Sequence, residues 1–244
     1  MSNKIPLKMI LAECDKLFEQ GKSSAVGTLL LQWRQKAQEE GEKTAELSLV
    51  NELIGHYRMQ GDAGKGSAAV KDALELITAA GCGNSVSAGT ILINAATALH
   101  SFGQTKRARE LFDQAYALYA AQLAPDDLLF AALFNNMAGT YASEGDLPAA
   151  RACSKEAADI LKAHGKIMDL AVTFANLAQF YPPSSPEADE ALDKMLDCFN
   201  DPAVARDGYY AHTCGKCAGV LSAYGRGDAG NDLLNRAKEF YERY

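Results

Sequence analysis

Residues 133–150 read Leu-Phe-Asn-Asn-Met-Ala-Gly-Thr-Tyr-Ala-Ser-Glu-Gly-Asp-Leu-Pro-Ala-Ala. Ala138 stands seven residues before Gly145 and Tyr141 four before it, while Ala150 stands five after and Ala157 twelve after. This is the grammar of two helices meeting at a turn. Small residues fall where the helix backbones cross closely, and the aromatic ring fills the gap one turn away. Gly145 suits a helix C-cap, which takes a positive φ. Asp146 is then placed to cap the helix that follows.

The same grammar runs outward in both directions. Gly21, Gly61, Gly103, Gly145 and Gly225 each open a polar turn, and Ser185 fills the one missing slot, at spacings of 40, 42, 42, 40 and 40 residues. Seven residues before each slot stand Cys14, Ile54, Ala96, Ala138, Ala178 and Ala218. Four before stand Leu17, Tyr57, Leu99, Tyr141, Tyr181 and Leu221. Five after come Val26, Gly66, Ala108, Ala150 and Gly230, and twelve after come Trp33, Ala73, Ala115, Ala157 and Ala237. Ala191 and Cys198 join the two series if the fifth unit carries one inserted residue. Asp62, Asp146 and Asp228 are candidate N-caps, and Pro186 fits a first helical turn, where no amide hydrogen is needed. A period held over six units marks stacked repeats that bury one continuous core.

The pattern resembles the tetratricopeptide repeat family, from about residue 5 to the end. The period, nearer 42 than the usual 34, looks like the variety found in kinesin light chains. The first unit departs from the motif with Glu13 in place of an apolar residue, and the fifth with Pro182-Pro183, which end its first helix early. The resemblance implies an all-α fold: a right-handed α-solenoid of about six helix-turn-helix repeats and about twelve helices. It is read as one repeat domain over residues 1–244, with units near 5–42, 43–84, 85–125, 126–166, 167–204 and 205–244.

In this family the first helix of each pair lines a concave groove. Carried over, the groove-facing residues are Asn51, Arg58, Asn94, Thr97 and His100, followed by Asn135, Asn136, Gly139, Asn176 and Gln179. Asn94, Asn136 and Asn176 share one offset, nine residues before the turn, where the second unit has Glu52 and the sixth Lys216. An amide donates and accepts at once, so a row of amides can satisfy an extended peptide backbone without reading its side chains. The same row can instead bond the neighbouring repeat. Arg58 and Lys216 lie too far apart for the basic clamp that family members use on chaperone tails.

Composition narrows the partners. The chain has 244 residues, 48% hydrophobic and 23% charged, and a formal net charge of -7. That charge disfavours nucleic acid, whose binding comes mostly from phosphate neutralisation, and anionic membrane surfaces. No apolar run approaches the roughly 20 residues needed to cross a bilayer. The N-terminal stretch has too short an apolar run for a signal peptide and no small-residue cleavage site. A cytoplasmic protein with six free cysteines is expected.

Other signals carry less. Cys214 and Cys217 form a CxxC near His212, but no second CxxC closes a zinc site, and their register points to core packing. Cys82 sits between two glycines as an exposed thiol. Gly61–Ser67 lacks the Gly-Lys-Ser/Thr order of a phosphate loop, and Arg226-Gly227-Asp228 falls in a turn slot. His56, His100, His164 and His212 lie in different units, and none pairs with a Ser or Cys nucleophile in a way that suggests a triad. No catalytic residue, metal or cofactor is expected. The expectation is a module that binds a peptide segment of another protein. The alternative is a homo-oligomer joined through terminal helices, since the last helix carries Leu233, Leu234, Ala237 and Phe240 with Tyr241 and Tyr244.

Overall fold

A computed structural model describes residues 5–243, which form twelve helices with no strand among them. The all-helical repeat architecture is therefore the one the chain adopts. It divides into two compact units, residues 1–123 and 124–244. The first holds α1 (Leu7–Glu19), α2 (Ser23–Glu39), α3 (Lys43–Gln60), α4 (Ala63–Ala79), α5 (Val86–Ser101) and α6 (Thr105–Ala120). The second holds α7 (Leu128–Ser143), α8 (Leu147–Ala163), α9 (Ile167–Ala178), α10 (Pro186–Asn200), α11 (Gly208–Ala223) and α12 (Gly227–Tyr241). Each odd-numbered helix pairs with the even-numbered helix after it. Within a unit the pairs then stack: α2, α3 and α4 against the next odd-numbered helix, and α8, α9 and α11 in turn.

The turns work as their residues dictate. Gly61 closes α3 at φ +67°, its N–H donating to the Arg58 carbonyl at 3.1 Å while the Asp62 N–H reaches the Tyr57 carbonyl at 3.0 Å. These bonds satisfy carbonyls that the helix end leaves open. Asp62 and Asp146 cap α4 and α8 by accepting from the Lys65 and Ala149 N–H groups at 3.0 and 3.1 Å. Asp228 does not cap: α12 begins one residue earlier, at Gly227, so Asp228 lies inside the first turn. There its charge still suits the positive end of the helix.

The fifth turn also differs from the expected register. The residue at positive φ is Ser184, at 64°, and not Ser185. Ser185 is the N-cap of α10, its Oγ accepting from the Ala188 N–H at 3.2 Å, with Pro186 in the first turn. Pro182 and Pro183 end α9 after 12 residues. A second glycine set, Gly41, Gly81 and Gly165, takes positive φ after the even-numbered helices and turns the chain between repeats.

The small residues do what their positions require. Ala96, Ala138, Ala178 and Ala218 are buried, as are Ile54 and Cys14 at the same offset. Around them the first unit packs Leu30, Leu49, Leu53, Phe112 and Tyr119, and the second packs Leu133, Leu192, Met195, Phe199 and Leu221, all fully buried. Each such side chain contributes about 1.5–3 kcal/mol. Tyr119 brings its hydroxyl to Thr90 Oγ1, 2.8 Å away, so the ring is buried without orphaning its oxygen. No described helix is long and apolar enough to cross a membrane.

Candidate functional site

The expected groove residues lie on the odd-numbered helices, and their bonding can be followed unit by unit. In the first unit Asn94 on α5 donates from Nδ2 to Asn51 Oδ1 on α3 at 2.9 Å. Asn51 in turn hydrogen-bonds the neighbouring Glu52 carboxyl. Loss of solvation raises the pKa of that carboxyl above its usual range, Asp15 adds to the rise, and the bond from Asn51 opposes it. Asn94 is exposed, and its Oδ1 takes no hydrogen bond from a described residue. Thr97 Oγ1 donates to the Ile93 carbonyl one turn back, at 2.7 Å. His100 is half-buried, with Nδ1 enclosed and unpartnered, and Arg58 is exposed.

In the second unit Asn135 on α7 donates to Thr173 Oγ1 on α9 at 2.9 Å, and Thr173 donates to the Asp169 carbonyl at 3.0 Å. The enclosed Asn135 Oδ1 has no partner. Asn136 turns to its own helix, donating to the Ala132 carbonyl at 2.8 Å, and Gln179 does likewise with Ala175 at 3.2 Å. Asn176 is half-buried, and its amide bonds no described residue. Gly139 leaves open space where a side chain would stand.

The structure thus joins Asn94 to Asn51 and Asn135 to Thr173. It leaves Asn176 unspent and folds Asn136 and Gln179 back on their own helices. Sequence reasoning missed Asp169 and Tyr209, which extend the polar face: the Tyr209 hydroxyl on α11 donates to the Asp169 carboxylate on α9. The signal was present, since Asp169, Thr173 and Asn176 follow the helical spacing of one face.

The remaining candidates are structural. Cys214 and Cys217 are buried. Burial pushes the Cys217 thiol up to about 12 and the Cys198 thiol up to about 11, which keeps both as inert thiols. No three His, Cys, Asp or Glu residues among those described are grouped to hold a metal. Cys82 is half-buried and not exposed as expected, its Sγ 3.6 Å from the Ile77 carbonyl oxygen. Gly61 and Asp62 are the turn into α4, and Ala63–Ser67 form its first residues. His164 bonds the Asp126 backbone carbonyl at 2.8 Å.

Paired helices of this length, stacked on glycine-closed turns with small residues at the crossings, define an α-helical repeat fold of the helix-turn-helix type. Residues 44–121, from α3 to α6, match the tetratricopeptide repeat family model. A putative kinesin light chain from Podosopora anserina is 18% identical, with a TM-score of 0.68 over 81% of this chain and 96% of that one. BtubC (BKLC) from P. vanneervenii is 19% identical, with a TM-score of 0.65 over 89% of this chain and 80% of that one. A chain of the APC/C hetero-tetramer Cut9-Hcn1 is 15% identical with a TM-score of 0.52, this chain spanning 45% of its length. No curated protein sequence matches. Residues 44–121 thus carry the tetratricopeptide repeat pattern, and the fold is similar to that of kinesin-light-chain-like repeat structures.

Proposed function

We propose that this protein is a non-catalytic interaction module that holds an extended segment of another protein against its odd-numbered helices. Tetratricopeptide repeats are generally a protein-interaction fold without catalysis, and one similar chain belongs to a hetero-tetramer. The observation that carries the finer reading is the unspent polar capacity of two amides. The carbonyl oxygen of the exposed Asn94 and the whole amide of the half-buried Asn176 have no hydrogen bond to a described residue. A peptide N–H fits the first, and both an N–H and a C=O fit the second. In the first unit Arg58, Thr97 and His100, on α3 and α5, and in the second Asn136 and Gln179, on α7 and α9, would set the preference for side chains. The reading places the protein in the cytoplasm, where its six cysteines stay thiols.

Affinity capture with the wild type beside Asn176→Ala and the Asn94→Ala/Asn136→Ala/Asn176→Ala variant tests this, with circular dichroism to check the fold. Loss of a partner from folded variants supports the reading. Equal capture by all three proteins removes the amides from the binding site.

Terminal association is the second reading, and exposed apolar side chains on α12 favour it. Leu234 is 49% exposed and Tyr241 60%, while Leu233 and Ala237 are buried. Tyr244 lies outside the described residues. Sedimentation over a concentration series, with Leu234→Glu/Tyr241→Glu as control, separates a dimer from a monomer.

A further inference from the structure

The second unit carries another surface on the opposite side of α9 from Asn176. Helices α8 and α10 both pack on α9 and leave a furrow of about 530 Å³ between them, with a second hollow of about 250 Å³ beyond it. The two share Lys162, Leu170 and Asp197, so they adjoin along α9. Its floor is apolar: Ile167, Leu170, Phe174 and Leu177 of α9, with Ala158 and Ala191 from the flanking helices.

The two banks differ in charge. The α8 side, extended into the turn after it, presents Lys155, Lys162 and Lys166 with Asp159 as its one acid. The α10 side presents Glu187, Glu190, Asp197 and Asp201 with Lys194 as its one base. Lys194 is already neutralised by Glu190, 2.7 Å away, and lies over the Phe174 ring at 5.9 Å. Lys155, Lys162, Lys166, Glu187 and Asp197 form no ion pair with a described residue. A basic bank and an acidic bank thus face each other across an apolar floor.

We propose that this furrow docks an amphipathic α-helix of a partner protein, one that sets an apolar stripe on the floor, an acidic flank against α8 and a basic flank against α10. The floor offers side chains and no free backbone groups, so an extended segment laid on it would leave its own N–H and C=O groups unpaired. A helix satisfies them internally. The floor follows α9, whose 12 residues span about 18 Å, so three turns of guest helix fill it. Leu170 and Leu177 are nearly buried already and Phe174 is half-exposed, so charge orientation contributes more than area.

The test uses the full chain and three fluorescent 15-residue helical peptides with the same leucine stripe, measured by anisotropy. One has a glutamate flank and a lysine flank, one has glutamate on both flanks, and one has lysine on both. The mixed peptide is expected to bind about tenfold tighter than either of the others at low salt, with the gap closing as salt screens it. The variant Lys155→Glu/Lys162→Glu/Lys166→Glu, altered only at exposed positions, should shift the preference to the all-lysine peptide. Equal binding of the three peptides by the wild type, no binding of the mixed peptide, or an unchanged preference in a folded variant overturns the proposal. So does a concentration-dependent dimer that the variant abolishes, since a second copy would then be the occupant.

Discussion

A methyl group added at position 27 has no room. It would lie 2.5 Å from His56 Nε2, and His56 is itself buried against α2. Gly27→Ala forces the ring off the helix and is expected to cost about 1–3 kcal/mol. Gly55, on the next helix, has open space at the same atom, so Gly55→Ala should stabilise by up to about 1 kcal/mol through helix propensity alone. Urea denaturation of the pair reads the opposite signs, and two changes of the same sign would refute this account of Gly27. The ring also makes stability depend on pH. Burial, with the nearby Lys65 charge adding to it, holds the His56 pKa below its ordinary value, and the enclosed Nδ1 has no partner. The unfolded chain takes up the proton near about pH 6.5, while the folded chain resists it until a lower pH. This contribution is therefore complete above about 6.5 and is lost as pH falls toward the folded value. The melting temperature should fall between pH 7.5 and 5.5, and fall less in His56→Leu. Equal drops in the two proteins would clear His56 of the effect.

At the scale of the element, the fifth turn shows how far sequence pattern reaches. Five glycines made the period visible because a left-handed C-cap favours glycine so strongly. Ser184 takes that conformation at φ 64°, and a serine gives no such signal, so spacing alone puts the slot one residue late, at Ser185. Ser184→Gly should relieve strain and stabilise by up to about 1 kcal/mol, net of the added freedom of the unfolded chain. A lower denaturation midpoint would mean that the Ser184 side chain contributes more than its backbone costs. The same limit applies to the candidate site. The offsets of Asn94, Asn136 and Asn176 were legible, because they follow from helix register. Their partners were not. The Asn94–Asn51 and Asn135–Thr173 bonds join residues 43 and 38 apart, and which atoms meet depends on how neighbouring helices settle. The spacing of Asp169 put it on the same face, but its bond with Tyr209, 40 residues away, was invisible for the same reason.

At the scale of the molecule, stacked repeats gain stability from nearest neighbours, so no distant contact is needed to close a core. Each unit meets that condition by itself. Residues 1–123 hold three helix pairs around Leu49, Leu53, Leu99 and Phe112, and residues 124–244 hold three around Leu133, Leu192, Met195 and Leu221. Each also carries its own charged ties between helices. Arg34 on α2 reaches Glu46 at 3.5 Å and Asp72 at 2.6 Å. Arg226, at the turn into α12, reaches Asp189 at 2.8 Å and also bonds Asp193 on α10. Three repeats are about the minimum for a stable array. Residues 1–123 and 124–244 expressed separately should therefore each give a helical circular dichroism spectrum and a cooperative melt. If either half has the spectrum of a random coil, its core is not self-sufficient, and the repeats of the full chain must be treated as a single folding unit.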